Sequence, residues 1–526
     1  MKLISNLKIE IAFHLLYHQY FHALLAFSAG ILLPFAFAPF GIYPLAIVAV
    51  ALLLFSWLNA TPKQAFLYGW LFGLGSFGIG VSWIYISLHD YGFMSPILAA
   101  IITALFIAAI ASFPALQGYV LTKFFPQNNW HKLLLAAPAI FSLSEWIRSW
   151  IFTGFTWLFL GYSQIDSPLR SIAPIFGVYG ISFAIVFTAG CIICLWQTRK
   201  MTEPKKTRQR LLLILAIILL WGTSAKFAAI NWTQPAVTNS QPIKVSLIQG
   251  NVSQEIKWQA KKLPHILQTH LNLTQKHWDS QIIVWPEAAI PTTSKNVSGF
   301  LRLLNKTAKK HQTTLITGLP LVRTDKNKNQ LLYNAIISVG VNHGTYLKRH
   351  LVPFGEYTPD PFKPLLSYLP TFFAIIMSSF NHGPAIQPPL IAANIRIAPS
   401  ICYEITYPNL VLDYLPQAQL LLTVSDDSWF GKSAAAEQQL EMTRMRSLET
   451  GRYQLVNTNT GITAIIDGHG KIITRAPMFK TLAIRGEITA LEGKTPWVDY
   501  GYILWGMMSA LCLIFAKLLT RFLDKK

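Results

Sequence analysis

The chain changes texture near residue 232. Before that point apolar residues gather into long runs separated by short polar segments. Seven runs, roughly 21–37, 41–59, 65–87, 95–121, 133–153, 171–197 and 211–230, approach the length of about 20 residues that a helix needs to cross a bilayer. After 232 the apolar stretches shorten, alternate with polar residues and are rich in β-branched side chains, and turn residues and charges become frequent. An eighth long run lies near 499–520. The pattern predicts a bundle of seven membrane helices over 1–231, a soluble domain over 232–497, and a final span with its tail over 498–526. The soluble part, about 265 residues, is long enough to bury its own core.

Within 232–497 alternation and β-branched content predict strands at 244–250, 281–286, 313–319, 331–340, 395–402, 419–424, 453–459 and 461–467. Helical stretches are expected at about 259–278, 296–311 and 434–450. Strands alternating with helices, with some hairpins, indicate a layered α/β sandwich. No internal repeat or low-complexity segment interrupts it.

Composition supports the division. Hydrophobic residues make up 52% of the 526 and charged residues 13%, about half the share usual in soluble domains. The formal net charge of +21 could suggest nucleic acid, but many of the charges sit between apolar runs. Lys2 and Lys8 precede the first run, Lys63 follows the second, Lys123 and Lys132 follow the fourth, and the segment RKMTEPKKTRQR from Arg199 follows the sixth. Lys517, Arg521, Lys525 and Lys526 close the chain. Alternate loops such as HDYGF (89–93) nearly lack Lys and Arg. With seven spans first, all the basic loops fall on one side, which the positive-inside rule makes cytoplasmic. Both termini are then expected inside and the soluble domain outside. The first run lacks a small-residue cleavage site and reads as an anchor rather than a removed signal peptide. Nucleic acid is not an expected partner.

Cys191, Cys194 and Cys512 fall in predicted spans, and Cys191-x-x-Cys194, mid-span and without His, reads as membrane packing rather than a metal or redox pair. Cys402 stands alone in the exported part, within SICYEITYP (400–408), so it has no intramolecular disulfide partner there. Two other strand ends carry unusual polar residues: WPEAAIP supplies Glu287, and YLKRHLVPFGEYTP supplies Lys348 and Glu356. A thiol with an ordinary pKa of about 8.5 needs activation at neutral pH. His343 and His469 lie in turns, and His350 adjoins Arg349, so no histidine is well set as the base. A carboxylate can replace it if burial raises its pKa, and a lysine can stabilise a thiolate or an oxyanion. Glu, Lys and Cys together make a complete acyl-transfer set, to which the N–H of Tyr403 can add an oxyanion donor. Taken singly, each has a plainer explanation: a buried small hydrophobe, a helix cap, a solvated charge.

Taken together, QGNVSQEIKW (249–258), WPEAAIP (285–291), YLKRHLVPFGEYTP (346–359), SICYEITYP (400–408), SDDSWFG (425–431) and MTRMRSLETGRYQLVNTNTGITAIID (442–467) resemble the apolipoprotein N-acyltransferases, bacterial inner-membrane enzymes of the nitrilase superfamily. EWIRSWIFTGFTWLFLGYSQID (145–166) resembles them in the membrane part. The resemblance spans nearly the whole chain. It implies a four-layer αββα sandwich on an eight-helix bundle and a triad of Glu287, Lys348 and Cys402. Glu356, Tyr403 and Glu404 are implied in support, and Trp258 near the acyl chains. The implied reaction moves an acyl chain from a phospholipid to the α-amine of a lipoprotein's diacylglyceryl-cysteine at the periplasmic face, with no cofactor and no metal. Asp426 stands where Asn is expected, and Glu437 and Gln438 where His is more frequent.

Three expectations remain. LLSYLPTFFAIIMSSF (365–380), short for a span and containing Pro370, reads as an arm or lid on the membrane face, against the alternative of a buried helix. Glu145 and Arg148 in the fifth run are a structural pair or a headgroup contact. The rival functions are a membrane-tethered amidase or nitrilase with water as acceptor, and a transporter or scaffold with an inert exported domain.

Overall fold

The computed structural model describes residues 19–199, 204–237, 241–359 and 380–523. The chain divides into two units. One comprises Met1–Tyr85, Pro96–Ile230 and Tyr500–Lys526, and the other Ile86–Ser95 and Asn231–Asp499.

The first unit is helical. Among the described residues five helices are long and apolar enough to cross a bilayer: Gln19–Ala36, Pro96–Phe124, Pro168–Thr198, Pro204–Phe227 and Tyr502–Phe522. Pro62–Gly80 with Trp83–Tyr91 makes a sixth if this pair, bent by 50°, is one span. Two of the eight expected spans fall short. The run 41–59 forms a helix only over Pro44–Ser56, about 20 Å at 1.5 Å per residue, against a hydrocarbon core of about 30 Å. The run 133–153 stops at Arg148, beyond which Phe152 takes φ +52.

The polar pair at that stop faces inward. Arg148 Nη1 donates to the Trp157 carbonyl (2.8 Å), and its guanidinium lies 4.7 Å from the Phe159 ring centre. Glu145 Oε1 accepts from the Leu160 N–H (2.7 Å). Both residues are buried. They satisfy backbone groups of an irregular segment, which apolar surroundings would otherwise leave unpaired. This favours the structural reading of the pair over the headgroup contact. Cys191 and Cys194 are buried free thiols in the same unit.

Among the described residues the second unit is built on fourteen strands. β1 (Thr233–Pro235), β2 (Ile243–Gln249), β3 (Ile282–Val284), β4 (Thr314–Thr324), β5 (Gln330–Gly340), β6 (Gly344–Leu347) and β7 (Leu390–Ala392) come first. β8 (Ile395–Ile401), β9 (Leu420–Ser425), β10 (Gln454–Thr458), β11 (Ala464–Ile466), β12 (Ile472–Arg475), β13 (Leu482–Ile488) and β14 (Leu491–Gly493) follow. They form two six-stranded sheets, ordered β13-β2-β3-β4-β5-β6 and β12-β11-β10-β9-β8-β7, plus the small β1-β14 pair. The central strands are parallel, β2 to β3 to β4 in one sheet and β8 to β9 to β10 in the other. Antiparallel strands flank them.

The period of two explains the layers. Ile243, Val245, Leu247, Ile282 and Val284 point into one core with Ile397, Leu420, Leu422, Val424, Leu455 and Ile465 of the other sheet. Their neighbours Ile248, Ile283 and Trp285 face the opposite way and pack with Leu267 and Leu304 of the helices Leu263–Thr274 and Ser298–Lys310. The helix Ala435–Thr450 is almost wholly buried. Asn457 Nδ2, on β10, donates to the Val284 carbonyl at the end of β3 (2.7 Å) and joins the two sheets. All eight expected strands and all three expected helices are present, with ends shifted by a few residues. β1, β6, β7, β12, β13 and β14 were not expected. The proposed arm, 365–380, lies outside the described residues except for Phe380.

Candidate active site

The parallel strands of both sheets end at one edge, and the unusual polar residues sit just beyond those ends. Glu287 follows β3, Cys402 follows β8, Asp426 and Asp427 follow β9, and Asn459 follows β10. Carboxyl ends of parallel strands are where open α/β sheets place their ligands. Backbone strain collects there too. Cys402 has φ +53, Ala288 beside Glu287 has +47, and Phe354 two residues before Glu356 has +62. Each costs about 1–3 kcal/mol and persists only where its surroundings hold it. At Cys402 the turn takes the chain from the strand into a short 3-10 turn, Cys402–Thr406.

Lys348 is buried at the centre. Its Nζ donates to Glu356 at 2.9 Å and stands 3.6 Å from Glu287 Oε1. Asn334 Nδ2, from β5, bridges the two carboxylates, donating to Glu287 Oε1 (2.7 Å) and Glu356 Oε1 (2.8 Å). Glu287 Oε2 accepts the N–H of Asp426 (2.8 Å). Glu356 Oε2 accepts the N–H of Val352 (2.8 Å), which folds the loop around the lysine.

Burial sets the proton affinities. It pushes the Cys402 thiol well above its ordinary value; the charge of Glu287 adds to this, and Lys348 opposes it. The resting group is therefore a thiol. Burial also raises Glu287, against the opposing charge of Lys348 and with Glu356 adding to the rise. Lys348 itself stays charged, because Glu356, Glu287 and Cys402 outweigh its desolvation. A carboxylate of raised proton affinity near an un-ionised thiol is suited to proton transfer during attack rather than to a standing thiolate. Burial lifts the neighbouring Asp427 to about 7. Its Oδ1 accepts from the Ser425 hydroxyl (2.5 Å).

Glu404 is fully buried and has a different part. Its carboxylate accepts from the Tyr346 hydroxyl (2.8 Å), the N–H groups of Arg349 (2.7 Å) and His350 (3.0 Å), and the N–H of Ile401 (2.8 Å). One side chain thus ties the residues after Lys348 to the residue before Cys402. The ring of Tyr403 packs on His350 and Tyr407, with centroids 5.8 and 5.1 Å away. Trp258 is 53% exposed, and its Nε1 donates to Gln254 Oε1 (3.2 Å). Glu437 pairs with the exposed Arg475.

The structure therefore gathers Glu287, Lys348, Glu356 and Cys402 into one electrostatic cluster, with Tyr403 and Glu404 on its frame. Sequence reasoning missed Asn334, although a lone amide in the apolar strand LLYNAIISVG is a usable signal. It also missed Gly318 on β4: a Cβ there would lie 2.7 Å from the Glu287 Cα and the Ala288 nitrogen. The bare glycine is what lets the Glu287 loop lie against the sheet. Among the described residues no group of His, Cys, Asp or Glu is placed to hold a metal ion.

Comparison with known proteins agrees with this architecture. Residues 29–191 match the family model for the apolipoprotein N-acyltransferase N-terminal domain, and residues 244–490 match that for carbon-nitrogen hydrolase. Proteins named apolipoprotein N-acyltransferase are similar over nearly the full length. The one from Coxiella burnetii is 45% identical, over 91% of this chain and 96% of its own. That from Methylococcus capsulatus is 42% identical, over 93% and 94%. That from Vibrio parahaemolyticus is 38% identical, over 97% and 99%. With both regions matched and such identity from end to end, the chain belongs to the apolipoprotein N-acyltransferase family.

Proposed function

We propose that the protein transfers a fatty acyl chain from the sn-1 ester of a membrane phospholipid to the α-amine of a lipoprotein's N-terminal diacylglyceryl-cysteine, through a thioester on Cys402. Family membership supports lipoprotein N-acylation over a water-dependent amidase. The observation that carries the residue assignment is the buried Lys348 held between two carboxylates, one of which, Glu287, is electrostatically coupled to the Cys402 thiol.

Glu287 takes the thiol proton as Sγ attacks the ester carbonyl. Lys348 and the Tyr403 N–H hold the oxyanion. The C–O bond breaks, and the lysophospholipid leaves with the proton returned by Glu287. The lipoprotein amine then attacks the thioester and gives its proton to Glu287. The C–S bond breaks, the amide forms, and Cys402 recovers its proton. Two transfers at one sulfur give ping-pong kinetics. Glu356 and Asn334 hold Lys348 and Glu287 in register, Glu404 holds the lysine loop to the cysteine turn, and Trp258 offers an exposed apolar face to acyl chains.

The domain limits are 1–231, 232–497 and 498–526. The helices Pro44–Ser56 and Ala137–Arg148 complete an eight-helix anchor in the bacterial inner membrane. Basic segments such as the one from Arg199 support cytoplasmic termini and a periplasmic catalytic domain.

The test is intact-mass measurement of the purified protein after incubation with a phospholipid of defined chains. Wild type is expected to gain one hydroxylamine-labile acyl group, cleared by a diacylated lipopeptide, and Cys402→Ser to gain no hydroxylamine-labile group. An adduct cleared by water alone, or one on another residue, refutes the reading.

A further inference from the structure

Glu287 is aimed by a second buried ion pair that the acyl-transfer scheme does not use. Lys257, in the turn after β2, is 2% exposed. Its Nζ lies 2.5 Å from Asp426 Oδ2 and also donates to the backbone carbonyl of Glu287 (3.2 Å). Asp426 is saturated: Oδ2 also accepts from Gln254 Nε2 (2.7 Å), and Oδ1 accepts from the Ser428 hydroxyl (2.6 Å) and Asn459 Nδ2 (3.0 Å). The backbone N–H of this same Asp426 donates to Glu287 Oε2. Lys257 therefore holds Glu287 at both ends, directly at its main chain and through Asp426 at its carboxylate.

We propose that Lys257 and Asp426 are positioning residues of the acyl-transfer reaction, a buried ion pair that orients the Glu287 carboxylate towards Cys402 and balances the charge around it. The inference rests on the reading of Glu287 as the base. Its physical content is twofold. Asp426 is close enough to oppose ionisation of Glu287, and Lys257 neutralises it. Burial pushes the Asp426 carboxyl up, but Lys257 and the hydroxyl and amide donors outweigh that and leave it below its ordinary value. The other charged or titratable groups facing Glu287 are Lys348, Glu356, Asp427 and Cys402. All stay in place when only the pair is altered.

Opposite shifts separate this role from simple packing. Lys257→Met leaves an uncompensated carboxylate beside Glu287 and raises the pH at which the base ionises. Asp426→Asn leaves an uncompensated ammonium and lowers it. A shift of about one pH unit in each direction is the scale expected for one neighbouring charge. Misaiming the base also slows acylation by about tenfold or more in each variant.

The experiment measures the rate of hydroxylamine-labile adduct formation on Cys402 of the full-length enzyme in detergent, with a defined diacyl phospholipid, from pH 5 to 9. The variants are Lys257→Met, Asp426→Asn, the double variant and Glu287→Gln. Expected are acid limbs displaced upwards in the first and downwards in the second, and a limb near the wild-type position in the double variant, which still acylates slowly. Rates within threefold of wild type, or limbs that move together or not at all, overturn the proposal. If Lys257→Met does not fold, Asp426→Asn and the double variant decide it by the same criteria. A Glu287→Gln enzyme that acylates normally removes the base reading itself; an inactive one with unshifted limbs in the other variants removes only this inference.

Discussion

Replacing Lys348 by Met tests the centre of the site through stability as well as activity. The substitution keeps the stem and deletes one buried charge. Two carboxylates that now share it, Glu356 at 2.9 Å and Glu287 at 3.6 Å, are left facing each other with only Asn334 between them. Removing one partner of a buried ion pair costs about 3–5 kcal/mol. At about 2–4 °C per kcal/mol for a unit of this size, the melting temperature falls by roughly 6–20 °C at pH 7.5. The pH dependence gives the cause away. Without the ammonium the Glu287 carboxyl, already raised by burial, binds its proton still more tightly in the folded state, above its ordinary value of 4.5. The folded form then holds more protons than the unfolded, so stability falls as pH rises above that value and recovers on acidification. Melting of the full-length protein in detergent at pH 5.0 and 7.5 reads this directly, with wild type as reference. The gap between variant and wild type narrows at pH 5.0, while the Cys402 adduct is lost at both pH values. A variant that melts with wild type at pH 7.5, or a gap that is constant with pH, refutes the buried-pair reasoning.

Other outcomes follow from the same geometry. Gly318→Ala removes no functional group yet forces Glu287 aside, so adduct formation drops by about a hundredfold while bilayer insertion and far-ultraviolet dichroism are kept; normal activity would sink the account of that close approach. Glu404→Gln sets an amide donor against backbone N–H groups that need acceptors and costs about 2–4 kcal/mol, read as a lower melting midpoint with slower acylation. Glu287→Gln slows alkylation of Cys402 by iodoacetamide, because the thiol loses its base; unchanged alkylation counts against that role. Asp427, raised from 3.8 to about 7, contributes stability that is lost as pH rises between those values. Asp427→Asn therefore shows a flatter decline in melting temperature from pH 5 to 7.5 than wild type.

The strands and helices of the second unit are legible because their signals are local. β2, β8, β9 and β10 alternate or run apolar, and each is bounded by turn residues. β12 and β13 were missed because ITR and AIRGEI carry charges on an exposed face and bury little. Eight spans were read from hydrophobic runs alone. That measure does not register how Arg148 and Glu145 end a helix by capturing the Trp157 carbonyl and the Leu160 N–H. Glu287, Lys348 and Cys402, the proposed triad, stood out as polar side chains at strand ends, and the resemblance drew them together. Asn334, Gly318, Lys257 and Asp426 act through partners tens to more than a hundred residues away, which spacing along one chain does not encode.

The two sheets divide the reactive groups between them. Glu287 and the lysine loop hang from one, and Cys402 from the other. Before the sheets dock the sulfur lacks the neighbouring Glu287 and Lys348 side chains. A chain in which the sheets have not yet docked therefore carries a dormant thiol, and its acyltransferase capacity arrives only with docking. Asn457, reaching across to Val284, is one latch of that safety interlock, so weakening it would delay the onset of activity in a newly made chain more than it alters the finished enzyme.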